Sequence, residues 1–143
     1  GTGLKDPHIM ERSGEVRVQT PYGRPSDALI EGNVAGVPGV LLSRHGRRHH
    51  DAPTDINYRA NIWALKNAGV NDIAAACACG SLQEELEPGE LKLIDSLIDR
   101  TTKREQTFYD GLPGHPPGIC HMPMHAALDE RLRRALLATA TRL

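Results

Sequence analysis

Polar and apolar residues alternate over Glu15 to Gln19, with Val16 and Val18 on one side, which predicts a β-strand. Pro21-Tyr22-Gly23 and Arg24-Pro25 predict a turn, because proline fixes φ and glycine accepts positive φ. Ala28 to Glu31 predicts a second strand and Gly39-Val40-Leu41-Leu42 a third, a meander-like pattern. Pro38 is expected just outside the third strand, since it cannot donate to a ladder. The period then lengthens. Tyr58, Ile62 and Leu65 share one stripe of a helix over Asn57 to Ala68, with Thr54 or Asp55 as its cap and Gly69 as its stop. Ile73 to Ala78 is a small apolar run that fits a buried parallel strand, ending at Cys79-Gly80-Ser81. Pro88-Gly89 marks a turn, Leu91 to Ile94 another strand, and Arg104 to Pro123 an irregular loop rich in glycine, proline and histidine. Leu128, Leu132, Leu136 and Leu143, with Ala135 and Thr139, predict an amphipathic C-terminal helix. The fold class is α/β, a mixed twisted sheet flanked by helices.

Composition narrows the function classes. A hydrophobic content of 39% in 143 residues suffices for one modest core. The net charge of −1 supplies no field that would draw in nucleic acid or an anionic membrane, and no apolar stretch is long enough to span a bilayer. Neither partner is expected. Cys77, Cys79 and Cys120 are odd in number and form no secreted disulfide framework, which favours a reducing, cytoplasmic setting. Gly1-Thr2-Gly3 looks like a phosphate-cradling loop without the strand that aims such a loop, so the chain reads as a segment of something longer.

Candidate chemistry concentrates where the third predicted strand ends, in Leu41-Leu42-Ser43-Arg44-His45-Gly46-Arg47-Arg48-His49. In open α/β sheets ligands bind at the carboxyl edge. Arginine offers a planar fork to an oxyanion, and histidine adds a donor whose charge adjusts near neutrality. Arg44 and His45 therefore mark an anion site, with a solvated strand end as the plain alternative. Nucleic-acid binding by the Arg44 to His50 cluster is disfavoured because no aromatic residue interleaves with it. A metal site at His45, His49 and His50 lacks a partnering carboxylate at helical spacing, and no metal is expected. Cys77 and Cys79 read either as small core residues or as part of a ligand strand, in which Gly80 lets a ligand approach the backbone. Zinc binding by Cys77, Cys79 and Cys120 is weaker, because paired Cys-x-x-Cys motifs are absent. Asp99-Arg100-Thr101-Thr102, polar after an apolar run, reads as a structural strand end, with a ligand-holding segment as the alternative. His121, among Cys120, Met122 and Met124, reads as a satisfied histidine or as the wall of a pocket for a soft apolar group.

Together these stretches resemble the trimeric purine nucleoside phosphorylase family. The resemblance is carried by Gly1-Thr2-Gly3-Leu4, by Thr20-Pro21-Tyr22-Gly23-Arg24-Pro25-Ser26-Asp27 and by Arg44-His45-Gly46-Arg47-Arg48-His49. It continues through Asn57-Tyr58-Arg59-Ala60-Asn61-Ile62-Trp63-Ala64-Leu65-Lys66 and Ala78-Cys79-Gly80-Ser81-Leu82. It closes with Ile98-Asp99-Arg100-Thr101-Thr102, Phe108-Tyr109-Asp110-Gly111 and Cys120-His121-Met122-Pro123-Met124. The Asp-Arg-Thr-Thr and Phe-Tyr-Asp-Gly blocks look like the methylthioadenosine branch.

The resemblance implies phosphorolysis of 5′-methylthioadenosine to adenine and 5-methylthioribose 1-phosphate, in purine and methionine salvage. It implies Thr2, Arg44, His45, Cys77 and the Ala78 amide as phosphate ligands, and Ala78, Cys79 and Gly80 along the sugar and base. His121 is implied in the methylthio pocket of a neighbouring subunit, hence a homotrimer. Phosphate enters as a substrate with no cofactor, and the setting is the cytoplasm, with the nucleus a further location. Cys77 departs from the family, which carries a hydroxyl or amide there; a thiol is a weak donor. The family's later ribose-binding methionine and its adenine-binding aspartates fall beyond Leu143. Residues 1–143 are thus expected to form part of a single domain, incomplete at both ends, and to be inactive alone for want of the leaving-group acid. The alternatives are a phosphorylase for methylthioinosine or purine nucleosides, and a non-catalytic fragment acting as an interaction module.

Overall fold

The computed structural model describes residues 8–140. In chain order these contain β1 (Glu11–Val16), β2 (Leu29–Val34), β3 (Val37–Leu41), α1 (Tyr58–Asn67) and α2 (Glu130–Ala140). They fall into two compact units. The first runs through Cys77 and includes Lys103–Cys120; the second holds Ala78–Thr102 and the chain from His121.

In the first unit the three strands form an antiparallel sheet in the order β1-β2-β3. Every residue of β1 is exposed, which is why hydrophobic alternation pointed past it to Glu15–Gln19. The strand ends at Val16, and Val18 instead packs beside the core formed by Leu29, Ala64 and Leu65. A bulge between Arg12 and Gly14 shifts the β1 register. Gly32 opposite it has no room for a Cβ, which would collide with the Glu11 carbonyl. Pro38 lies inside β3, not before it, paired with Asn33. β3 borders the described sheet, and on such an edge a missing N–H removes no ladder bond if it faces outward.

Helix α1 forms where the longer period begins. Its cap is Asn57, not Thr54 or Asp55: the Asn57 side-chain oxygen accepts from the Ala60 amide at 3.0 Å. The buried face is Ala60, Asn61, Ala64 and Leu65, while Ile62 is largely exposed. Small residues bring the helix close to its neighbours, so the predicted stripe of large residues is rotated from the true contact face. The stop is as predicted. Gly69, at φ 80°, donates to the Lys66 carbonyl and Val70 to that of Leu65, closing a Schellman motif with Val70 against the core.

Two predicted strands, Ile73 to Ala78 and Leu91 to Ile94, carry no ladder among the described residues and are exposed throughout. An apolar run supplies burial potential; the hydrogen-bonding partner must come from elsewhere in the fold. In the second unit, Asp129 immediately precedes α2, and its carboxylate accepts from the Leu132 amide at 2.7 Å. Glu130 pairs with Arg133 and Arg134. Asp99 accepts from both the amide and hydroxyl of Thr101, a local turn that follows no strand among the described residues, contrary to the reading of this block as a strand end. Leu143 lies outside the described residues, and no described helix is long and apolar enough to cross a membrane.

Candidate functional site

The chain leaving β3 turns immediately. The Gly46 amide donates to the Ser43 carbonyl at 2.8 Å, so Arg44 and His45 are the two central residues of a β-turn. The turn continues into a second, with His49 donating to Gly46 and Asp51 to His45. Gly46 is required here. Its φ is 71°, and a Cβ would collide with the His50 ring.

Both turn residues are half-buried and line one cavity of about 300 Å³. Leu42 and Leu65 give it an apolar wall; Ser43, His49, Tyr58, Asn61 and Asp72 add polar groups. His45 Nδ1 lies 2.9 Å from the Asp51 carbonyl, which can only accept. The proton therefore sits on Nδ1, and Nε2 is left for a ligand. The His45 and His49 rings stack, with centroids 5.6 Å apart. Arg44 Nη1 donates to Cys77 Sγ at 3.0 Å. Arg44 thus shares the cavity with His45 and touches Cys77, and all three residues, implicated in phosphate binding, lie in the first unit. Cys77 is exposed beside the guanidinium, not a core residue.

Ala78, Cys79, Gly80 and His121 are exposed residues of the second unit. Thr2 lies outside the described residues. Among the described residues no three His, Cys, Asp or Glu side chains are grouped to hold a metal ion.

Sequence reading missed the groups that brace this turn. Arg47 donates through Nε and Nη2 to Asp27 and through Nη1 and Nη2 to Glu15, and its backbone amide donates to Asp27 at 2.7 Å. Partial burial pushes the Asp27 carboxyl up, but hydrogen bonds from Arg47 and the Ala28 amide outweigh it and hold the group below its ordinary range. Glu15 is lowered chiefly by its hydrogen bond from Arg47. A second missed group is Asn61. Buried in α1, it accepts from the Ser26 amide at 2.8 Å and donates to the Ser26 hydroxyl at 3.0 Å. The only sequence signal was a polar residue on the small-residue face of a helix.

Residues 4–143 match the family model described as the phosphorylase superfamily. The S-methyl-5′-thioadenosine phosphorylase of Drosophila melanogaster is 55% identical over 143 residues, covering 100% of this chain and 50% of its own length. That of Danio rerio is 55% identical over 140 residues, 98% of this chain and 50% of its own. A solved structure of methylthioadenosine phosphorylase from Schistosoma mansoni in complex with adenine superimposes with a TM-score of 0.92 at 45% identity. It covers 99% of this chain and 49% of that one. The chain spans about half the length of the curated relatives it matches, and over that half it shares the α/β fold of the solved phosphorylase.

Proposed function

The chain belongs to the phosphorylase superfamily, and from that membership and its cationic turn we propose that the full-length protein cleaves 5′-methylthioadenosine with inorganic phosphate. The products are adenine and 5-methylthioribose 1-phosphate. A phosphate oxygen attacks C1′ as the bond from C1′ to the adenine nitrogen breaks. The sugar passes through an oxocarbenium-like state whose positive charge a fixed anion stabilises.

The observation that carries this reading is the pairing of Arg44 and His45 on one cavity. Arg44 supplies a permanent charge and a fork of donors. Nε2 of neutral His45 accepts the hydroxyl of a monohydrogen phosphate, and as imidazolium it donates instead. In this proposal Thr2, Cys77 and the Ala78 amide complete the phosphate set, and Cys79 and Gly80 lie along the sugar and base. His121 serves the methylthio pocket of a neighbouring subunit in a homotrimer. No cofactor takes part, the setting is the cytoplasm and nucleus, and the role is purine and methionine salvage. Nucleic acid and membranes are not partners.

The test is phosphate dependence in the full-length protein. Adenine release from methylthioadenosine should require phosphate, and Arg44→Ala should raise the phosphate KM roughly 10- to 100-fold, the value of one charge-assisted hydrogen bond. The nucleoside KM should change little. An Arg44→Ala enzyme with unchanged phosphate KM would reject the assignment.

A further inference from the structure

Arg47 follows the turn that presents Arg44 and His45, and every nitrogen of its guanidinium is engaged by a carboxylate. Nε faces both oxygens of Asp27 at 3.0 Å. Nη2 bridges Asp27 and Glu15 at 2.9 Å each, and Nη1 reaches Glu15 at 3.1 Å. Asp27 also takes the Arg47 backbone amide at 2.7 Å and the Ala28 amide at 2.8 Å. One side chain therefore ties three parts of the chain together: β1 through Glu15, the approach to β2 through Asp27, and the exit of the Ser43–Gly46 turn.

The entry of that turn is held by β3, which pairs with β2. The exit has no strand. Gly46 at its end is glycine in the left-handed region, and the backbone bonds from His49 and Asp51 tie the exit only to the next turn, not to the sheet. Arg47, immediately beyond Gly46, supplies the tie to the sheet through Glu15 and Asp27. Its charge is matched by two carboxylates, and its donors point to them, so it is not itself a phosphate ligand.

We propose that Arg47, clamped by Asp27 and Glu15, is a positioning residue that holds the Arg44–His45 turn in the geometry needed to bind phosphate. The proposal rests on the phosphate reading above. It acts through orientation: misplacing a binding group by about 1 Å can cost on the order of 100-fold in rate. Lysine cannot replace arginine here, because a single ammonium on a flexible stem cannot present two forks to two carboxylates at once.

The test compares steady-state kinetics of full-length Arg47→Lys, Glu15→Gln and Arg44→Ala, varying phosphate and nucleoside separately. Arg47→Lys should raise the phosphate KM roughly 10-fold or more while the nucleoside KM stays within about twofold. Glu15→Gln keeps the Asp27 half of the clamp and should produce a smaller rise of the same kind; it carries the test if Arg47→Lys does not fold. If Arg47 works through the turn, adding Arg47→Lys to Arg44→Ala should raise the phosphate KM by much less than it does alone. The proposal is overturned if Arg44→Ala raises the phosphate KM and the clamp variants leave it unchanged. It is equally overturned if the clamp variants raise both KM values alike, or multiply independently with Arg44→Ala. An unchanged phosphate KM in Arg44→Ala itself would instead reject the underlying phosphate assignment.

Discussion

His115 presents both ring nitrogens to groups that only accept: Nδ1 to Asp110 Oδ1 at 2.6 Å and Nε2 to the Pro21 carbonyl at 2.9 Å. Only the doubly protonated ring satisfies both, and the side chain is 6% exposed. The Pro21 carbonyl and then Asp110 raise its pKa above the ordinary 6.5, against burial, which lowers it, and against the nearby Arg59 charge. Partial burial raises Asp110, but hydrogen bonds from His115, the Leu112 amide and Arg59 overcome this and hold it down to about 2. Since the folded His115 is raised, its stabilisation is complete below the unfolded value and is lost as pH rises through the folded one. The thermal midpoint of wild type minus that of His115→Gln should therefore be level between about pH 4 and pH 6.5, shrink above that range as His115 loses its proton, and shrink below it as Asp110 gains one. A difference that does not vary with pH would show that His115 is neutral. Cys77 makes a related point at the same scale: the departure visible in sequence lies against Arg44, but nothing in the sequence showed which residue would meet the thiol.

Among the elements, α1 is where the local cap also serves a tertiary link. Asn57 caps it and at the same time donates to the Tyr22 carbonyl at 2.6 Å, linking the helix start to the 20–23 turn. Tyr22 in turn donates to the Phe108 carbonyl, stacks edge-on with Trp63 and Phe108, and lies under the Arg59 guanidinium. Asn57→Ala loses the cap as well as this link, and should cost about 1–2 kcal/mol in urea unfolding. A loss below about 0.5 kcal/mol would mean that the cap is redundant. The helix and its glycine stop were legible because its lengthened period and the glycine that ends it are local signals, whereas its cap, Asn57, and its buried face were not. The strand β1 was not, because all its side chains face solvent and only its pairing with β2 defines it. Ile73 to Ala78 failed in the opposite sense: its apolar character was legible, but a strand is a statement about a partner. At the site, Arg44 and His45 stood out by chemical type beside a glycine. The Arg47–Asp27–Glu15 clamp joins residues 20 and 32 positions apart, a separation that no local pattern records.

For the molecule as a whole, family membership and fold rest on nearly the full chain, and the activity rests on a proposal about one turn. That turn is built wholly within the first unit, from β3, the residues around Gly46 and the clamp. Its geometry is therefore set by contacts within that unit, the Arg47 clamp among them. The most direct measurement is a crystal structure of the full-length protein grown with phosphate. The account predicts a phosphate in the cavity beside β3, within hydrogen-bond distance of the Arg44 guanidinium and of His45 Nε2, with Arg47 still bound to Asp27 and Glu15. A phosphate bound elsewhere, with neither Arg44 nor His45 touching it, would contradict the account.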